Sequence, residues 1–329
     1  MLTRKDLTAV TLAFVAISIF AAGLFADDRI ELKLRLEEGK SYNIMAVTDQ
    51  VITTGLEGQV NEVNQEVGFG YTFNVLKVEP NGDAHVKVKF HSIYMKHEGV
   101  DGNFEYDSTN PPEKVHPAAE LLSVLVGLTF EMKMSPDGSV SEIKGTEEMI
   151  DSMFSKLKGE EDENESLKAQ MIEDLKKSFG EGAMKESMSN IVGGWYPNRQ
   201  VGLEESWTGE IGITKGMPMT MVYNNTLKFR HDGVAIIKTH TDIKMNTNAD
   251  PIKMGPMTMQ YELTGVVDGY LWMDEETGWT RGSEMTQEIS GIIRMKGAPN
   301  MTEEGMEIPI SVKGIVKTET FDIIPDVTD

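Results

Sequence analysis

The sequence predicts a mainly β protein of α+β type: antiparallel curved sheets or two half-barrels, with a helical insertion in the middle. Three observations predict it. Apolar and polar residues alternate with a period of two through residues 30–110 and again from Trp207 to about Ile324. Short turn signatures divide these runs, the pattern of strands that pair with their antiparallel neighbours. Between the two stretches, from Thr146 to Val192, the apolar period becomes that of a helix.

Taken in order, Leu32, Leu34 and Leu36 point one way, with Lys33 and Arg35 the other. Tyr71, Phe73 and Val75 repeat the period, as do Val86, Val88 and Phe90. Pro80-Asn81-Gly82-Asp83 lies between them and predicts a hairpin, because Asn-Gly accepts the positive φ of a tight turn. Ser135-Pro136-Asp137-Gly138 predicts a second hairpin, joining 130–134 to 140–143. Residues 117–128 are apolar nearly all round and open on a proline, which suits a first helical turn; a short buried helix is expected, with a buried strand as the alternative.

Within the helical stretch, Met149, Ile150, Met153, Phe154 and Leu157 mark one face, and Leu167, Met171, Ile172, Leu175 and Phe179 another. Thr146 and Ser166 suit N-caps, and Gly180 suits a stop. A third helix is expected over 183–191, ending at Gly193-Gly194. Turn signals at His231-Asp232-Gly233 and Val267-Asp268-Gly269 divide the strands that follow. Pro218-Met219-Thr220-Met221-Val222-Tyr223 echoes Pro256-Met257-Thr258-Met259-Gln260-Tyr261, marking two equivalent strands.

The expected organisation is therefore an N-terminal segment over 1–26, a β-rich region over 27–144, a helical insertion over 145–194 and a second β-rich region over 195–329. The N-terminal segment has a short basic start at Arg4-Lys5, an apolar stretch from Leu7 to Phe25, and small residues at Ala21, Ala22, Gly23 and Ala26 before Asp27-Asp28. That order is the one a secretory signal requires, with cleavage expected after Ala26. The apolar stretch is long enough to span a bilayer, so an uncleaved inner-membrane anchor is the alternative. Either way the remainder is expected in the periplasm or outside the cell, touching membrane only through this segment.

The 329-residue chain carries a formal charge of −22; Arg4, Lys5 and Asp6 contribute a net +1, so the chain without them stands at −23. A field of that sign repels nucleic acid and anionic lipid headgroups. There is no cysteine, which excludes disulfides, a lipidated N-terminal cysteine, thiol catalysis and Cys-ligated metal.

Several stretches together carry a resemblance. Residues 34–42 (Leu-Arg-Leu-Glu-Glu-Gly-Lys-Ser-Tyr), residues 130–145 with Ser135-Pro136-Asp137-Gly138 and Ile143-Lys144-Gly145, and Tyr196-Pro197-Asn198-Arg199-Gln200-Val201 running into Glu205-Ser206-Trp207 resemble an uncharacterised family of exported bacterial proteins, domain-of-unknown-function family 6263. That family has Gly-Asp before Ser-Trp where this chain has Glu204-Glu205. The resemblance implies an envelope or secreted location and brings neither an activity nor catalytic residues.

Catalytic and metal motifs are weak throughout. His85, His91 and His97 share parity on one expected strand, beside Lys87 and Lys89, which points to a solvated face. Histidines six residues apart on a strand sit ~20 Å from each other, too far to share a zinc ion. Ser141 with Lys144 and Ser155 with Lys158 match Ser-x-x-Lys, but no Ser-Asp-Asn or Lys-Thr-Gly partner accompanies them. Asp274-Glu275-Glu276 and Asp162-Glu163 lack the spacing of a calcium loop.

Methionine is abundant, at 22 residues. Thioethers bind Cu(I), which makes Met217, Met219, Met221, Met257 and Met259 candidate copper ligands. Core filling competes and is favoured: Tyr223 and Tyr261 continue the same faces, and no histidine is interleaved. No catalytic residue and no cofactor is expected. The function expected is non-enzymatic binding of an apolar ligand, a lipid, or of an envelope partner protein. The alternatives are a structural or interaction protein without a small ligand, and a hydrolase whose site the sequence hides.

Overall fold

Thirteen strands form one antiparallel sheet in a computed structural model that describes residues 29–56, 58–100, 102–157, 172–173, 175–193, 195–213, 218–246, 251–254, 257–297 and 305–321. The strands are β1 (Ser41–Leu56), β2 (Gln59–Val78), β3 (Ala84–Gly99), β4 (Gly102–Asp107), β5 (Thr129–Met134), β6 (Val140–Lys144), β7 (Ser206–Ile213), β8 (Met219–His231), β9 (Val234–Met245), β10 (Ile252–Met254), β11 (Met257–Asp274), β12 (Thr280–Lys296) and β13 (Met306–Thr320). Helices α1 (Pro117–Ser123), α2 (Thr146–Leu157) and α3 (Glu181–Val192) lie between them in sequence.

The spatial order is β6-β5-β3-β2-β1-β13-β12-β11-β9-β8-β7, with β4 also on β3 and β10 also on β11. The chain begins in the middle of the sheet, works outward to one edge at β6, and re-enters at the other edge at β7. It then returns to the middle, where β13 pairs with β1 from Ile44 opposite Thr320 to Thr54 opposite Ile310. The two β-rich regions are thus the two halves of a single sheet, and the helical insertion links its outer edges.

The sheet curls, and two hydrogen bonds show how far. Leu34 N donates to Pro136 O and Arg35 N to Thr277 O, each at 2.7 Å. Consecutive amides lie about 3.8 Å apart, so these two acceptors are within about 9 Å of one another. Pro136 is in the β5–β6 turn and Thr277 in the β11–β12 turn, six strand spacings apart along the sheet. On a flat sheet that would be about 29 Å. Aromatic rings agree: Phe73 on β2 and Trp279, just before β12, have centroids 5.2 Å apart.

Residues 31–37, which alternate like a strand, form the seam that closes this end; they are held by the Leu34 and Arg35 hydrogen bonds, next to an isolated bridge from Ile30 to Val201, and join no strand ladder among the described residues. Their period of two is genuine, since Leu32, Leu34 and Leu36 are all buried. Burying each leucine is worth about 1.5–3 kcal/mol. The pair of Arg29 with Glu205 lies at the solvent-screened surface, so apolar burial is what holds the seam.

Most expected turns are present. Residues 79–83 join β2 to β3, residues 135–139 join β5 to β6, and Asp232 and Gly233, both at positive φ, join β8 to β9. Val267-Asp268-Gly269 is not a turn; it lies inside β11, where Asp268 faces His240 across the sheet. The apolar run at 117–128 gives a helix of two turns, α1, and then an irregular turn. Thr146 is the first helical residue of α2 and not its cap. Residues 175–179 are helical and stop at Gly180, which also caps α3, and α3 ends at Gly193. The N-terminal segment, Ser166, Leu167, Met171, Gly194 and the acidic run 159–165 lie outside the described residues. Among the described residues no helix is long and apolar enough to cross a membrane.

Candidate functional site

Residues directly opposite in a sheet point to the same face, so the pairing register carries each face from strand to strand. One face carries charges: His240, Asp268, Glu66 and Lys96 lie on one such row, and Asp242, Glu288 and Lys313 on the next. A groove of about 440 Å³ on this face is lined by Asp242, Lys244, Glu288, Ser290 and Lys313, charges of both signs. The other face is apolar, and the sheet curls towards it.

The apolar face has three levels along the strands. At the closed end, beside the seam, it is packed. One core gathers Phe73, Val86, Val88, Phe130 and Met153 from the first half and the helices; another gathers Leu227, Ile237, Leu271 and Met273 from the second half. Tyr196 packs against both.

The middle level is a rung of glutamines. Gln287 Nε2 donates to Gln50 Oε1 at 3.0 Å, and Gln50 Nε2 donates to Gln65 Oε1 at 2.9 Å. Gln287 and Gln50 are not on adjacent strands: Gly314 of β13 lies between them, opposite both. Only a residue without a side chain lets the two amides meet. Further out, on the same face, come Ile52, Val63, Val312, Ile310, Ile308, Ile289, Ile293, Leu263, Ile243, Met221 and Ile211. Apart from the buried Ile243 and Leu263, these are half-buried, and none belongs to either packed core. The third level is therefore an apolar trough. At its rim Met259, Met295 and Met306 stand in one cross-strand row, and Met219 faces Met245.

The exit of the helical insertion crosses the packed level as a strap. Tyr196 donates its hydroxyl to Gly278 O at 2.9 Å, and Trp207 donates its indole N–H to Trp195 O at 3.0 Å. Under the strap is a cavity of about 70 Å³, lined by Ile44, Leu271, Met285 and Trp279 from the sheet side and by Ile191, Trp195 and Tyr196 above. Burial raises the Tyr196 and Tyr71 phenols above their ordinary range.

Buried polar atoms without a partner mark this region. Among the described residues they include both side-chain atoms of Asn225, Thr239 Oγ1 and Trp279 Nε1. Asn225 and Thr239 are opposite each other on β8 and β9 and are 0% exposed. A buried polar group left unpaired costs about 1–3 kcal/mol, so each such atom calls for a partner.

The histidines do not share a face. His91 is the extra residue of a β-bulge between Phe90 and Ser92, which pair with consecutive residues Tyr71 and Gly70. The bulge reverses parity, placing His85 on the charged face, paired with Glu79 at 2.7 Å, and His97 on the apolar one. There His97 stacks on Phe104 and Phe104 on His116, with centroids 5.1 and 4.2 Å apart.

Met217 lies outside the described residues. Met219 and Met221 on β8 share the apolar face with Met257 and Met259 on β11, but β9 lies between, and Met259 is four residues, about 13 Å, beyond the Met219 row. These methionines do not converge on one point. The row that does align, Met259 with Met295 and Met306, joins strands whose register the sequence alone does not give.

Lys158 is outside the described residues, so the pair with Ser155 is not seen; Ser155 donates to Ser152 O. Ser141 is exposed at an edge strand. The acidic run at 274–276 serves structure: Asp274 accepts from Thr277 and Arg281, and Glu275 pairs with Arg230. Burial works to raise the Asp274 carboxyl, but these hydrogen bonds outweigh it and hold it below its ordinary range. Among the described residues no three His, Asp or Glu side chains are grouped to hold a metal ion.

No curated protein matches the chain. Among solved structures, a lipovitellin described under lipid–protein interactions is similar at 10% identity and a TM-score of 0.45, covering 89% of this chain, which spans 26% of that one. Two Pseudomonas aeruginosa proteins, OpdQ and OccK8 (OprE), align at 5% and 7% identity, each with a TM-score of 0.16, covering 86% and 87% of this chain and 99% of each of those. Likenesses this distant carry no functional argument. A family model is matched over residues 81–280, from the β2–β3 hairpin to the start of β12, and the chain belongs to that family, the family of unknown function DUF6263.

Proposed function

We propose that the protein is an exported, non-enzymatic carrier or holder of an apolar ligand, a lipid, which it seats in the trough of its curled sheet. One observation carries the reading. Above the glutamine rung the apolar face continues as a contiguous run of Ile, Val, Leu and Met that joins neither packed core. Side chains of this kind gain about 25 cal/mol for each Å² of apolar surface withdrawn from water, so a contiguous patch favours an apolar occupant. The basic, apolar and small-residue order of residues 1–26 supports export.

Native mass spectrometry of protein purified from its own host tests the reading. A co-purifying lipid is expected, displaceable by an apolar fluorescent dye. Ile289 and Val312 are opposite one another in the trough. Replacing both by glutamate is expected to abolish dye binding while leaving the packed level folded. An apo mass with no dye binding by the unaltered protein would sink the proposal.

A further inference from the structure

We propose that Asn225 and Thr239 are the polar anchor of the bound ligand, which is therefore a long-chain amphiphile with a single uncharged hydroxyl-type head. This rests on the binding reading above. The paired register places Trp207, Asn225, Thr239, Gly269 and Met285 in one row across β7, β8, β9, β11 and β12. Asn225 presents one acceptor and two donors, and Thr239 a hydroxyl that does either. Neither side chain has a partner for these atoms, and both are fully buried. Beside Thr239 the position of Gly269 carries no side chain, and on its far side Met285 is a wall of the cavity under the strap. At Gly269 the β12 backbone closes in, since a Cβ there would stand 2.1 Å from Glu284 O, so Thr239 and the cavity wall Met285 are separated in the row by backbone alone.

The chemistry of the row selects the head. Its members are aromatic, apolar or neutral, so a charged head would be buried without a counter-charge and is disfavoured. A hydroxyl both donates and accepts, which matches an amide beside a hydroxyl. From this row the face runs outward through Thr241 and Val267, level with the glutamine rung, and then into the trough at Ile243 and Gly265 and on to Met245, which faces Met219. Six residues of strand provide about 20 Å for an alkyl chain. Tyr223 stands one rung outward of Asn225, with its ring lying over Gly209, and has to turn aside for the head to enter.

The test compares a long-chain alkanol with its methyl ether, each displacing an apolar dye from the full chain. The ether accepts but cannot donate, so it leaves the Asn225 carbonyl unsatisfied. The unaltered protein is expected to bind the alkanol about tenfold more tightly than the ether. Asn225→Leu and, separately, Thr239→Val are expected to lose that preference, so that each variant binds alkanol and ether alike. Both replace an unpartnered polar group by an apolar one, so their thermal midpoints are not expected to fall. Equal binding of alkanol and ether by the unaltered protein, or a preference that survives in both variants, overturns the anchor and leaves the trough standing. Absence of dye and alkanol binding by the unaltered protein overturns both readings.

Discussion

The indole N–H of Trp207 donates to the carbonyl of Trp195 at 3.0 Å, tying the strap to the edge strand β7, while one residue on Tyr196 ties it to the β11–β12 turn. Two adjacent residues thus fasten the exit of the helical insertion at two points of the second half of the sheet, and Tyr196 also packs against the core of the first half. The cavity exists because these bonds hold backbone across the packed level. Tyr196→Phe keeps the ring and removes the donor to Gly278 O. A loss of about 1–2 kcal/mol in urea unfolding is expected, with a red shift in the emission of Trp195 as the strap loosens.

Gly314 sets the glutamine rung. A Cβ there would stand 2.4 Å from Asp49 O and 2.7 Å from Gln50 Cβ, a backbone atom and the first side-chain carbon, neither of which can swing away. Gly314→Ala is expected to destabilise by roughly 1–3 kcal/mol, as overpacking does, and to separate Gln287 from Gln50. Gly212→Ala on β7 is the control, since a Cβ there meets nothing within 4 Å. It is expected to be neutral or stabilising by up to about 1 kcal/mol. Equal losses in the two variants would contradict this account of the rung.

Much of the strand pattern is legible in the sequence because burial on one face imposes a period of two regardless of partner. Tyr71, Phe73 and Val75 show this inside the sheet, and Leu32, Leu34 and Leu36 show it outside. What alternation does not encode is register. The bulge at His91 moves His97 to the opposite face, and Val267-Asp268-Gly269 imitates a turn within a strand. The candidate site depends on register throughout: Gln50 meets Gln287 across 237 residues of sequence, and Asn225 meets Thr239 only through the β8–β9 pairing. Neither pair has a signal along the chain.

The rim row of Met259, Met295 and Met306 makes ligand retention sensitive to oxidation. A sulfoxide converts a flexible apolar side chain into a polar one. Mild peroxide is expected to reduce dye binding severalfold, and a variant with all three replaced by leucine is expected to keep it. Unfolding by urea separates this from general damage: the deeply buried Met153 and Met188 are shielded, so global stability should fall less than binding. Equal sensitivity of the leucine variant would assign the loss to other methionines.

His240 on the charged face gives the fold a dependence on pH near neutrality. Its Nδ1 lies 2.7 Å from Asp268 Oδ1 and its Nε2 3.7 Å from Asp242 Oδ1, with Lys238 on the same strand face opposing. The hydrogen bond to Asp268 holds the imidazole above its ordinary value of 6.5, and the Asp268 and Asp242 charges add to it. A raised folded pKa means that the folded state binds the proton more tightly than the unfolded chain does. The stabilisation is therefore fully present below about 6.5 and disappears as pH rises through the folded value. His240→Gln should be less stable than the unaltered protein at pH 5.5 and equal to it at pH 9. The pair is about half exposed, so the difference should be small and should shrink in high salt. Asp268→Asn should return the His240 titration, followed by NMR, towards 6.5; a titration that does not move would place the cause of the shift elsewhere.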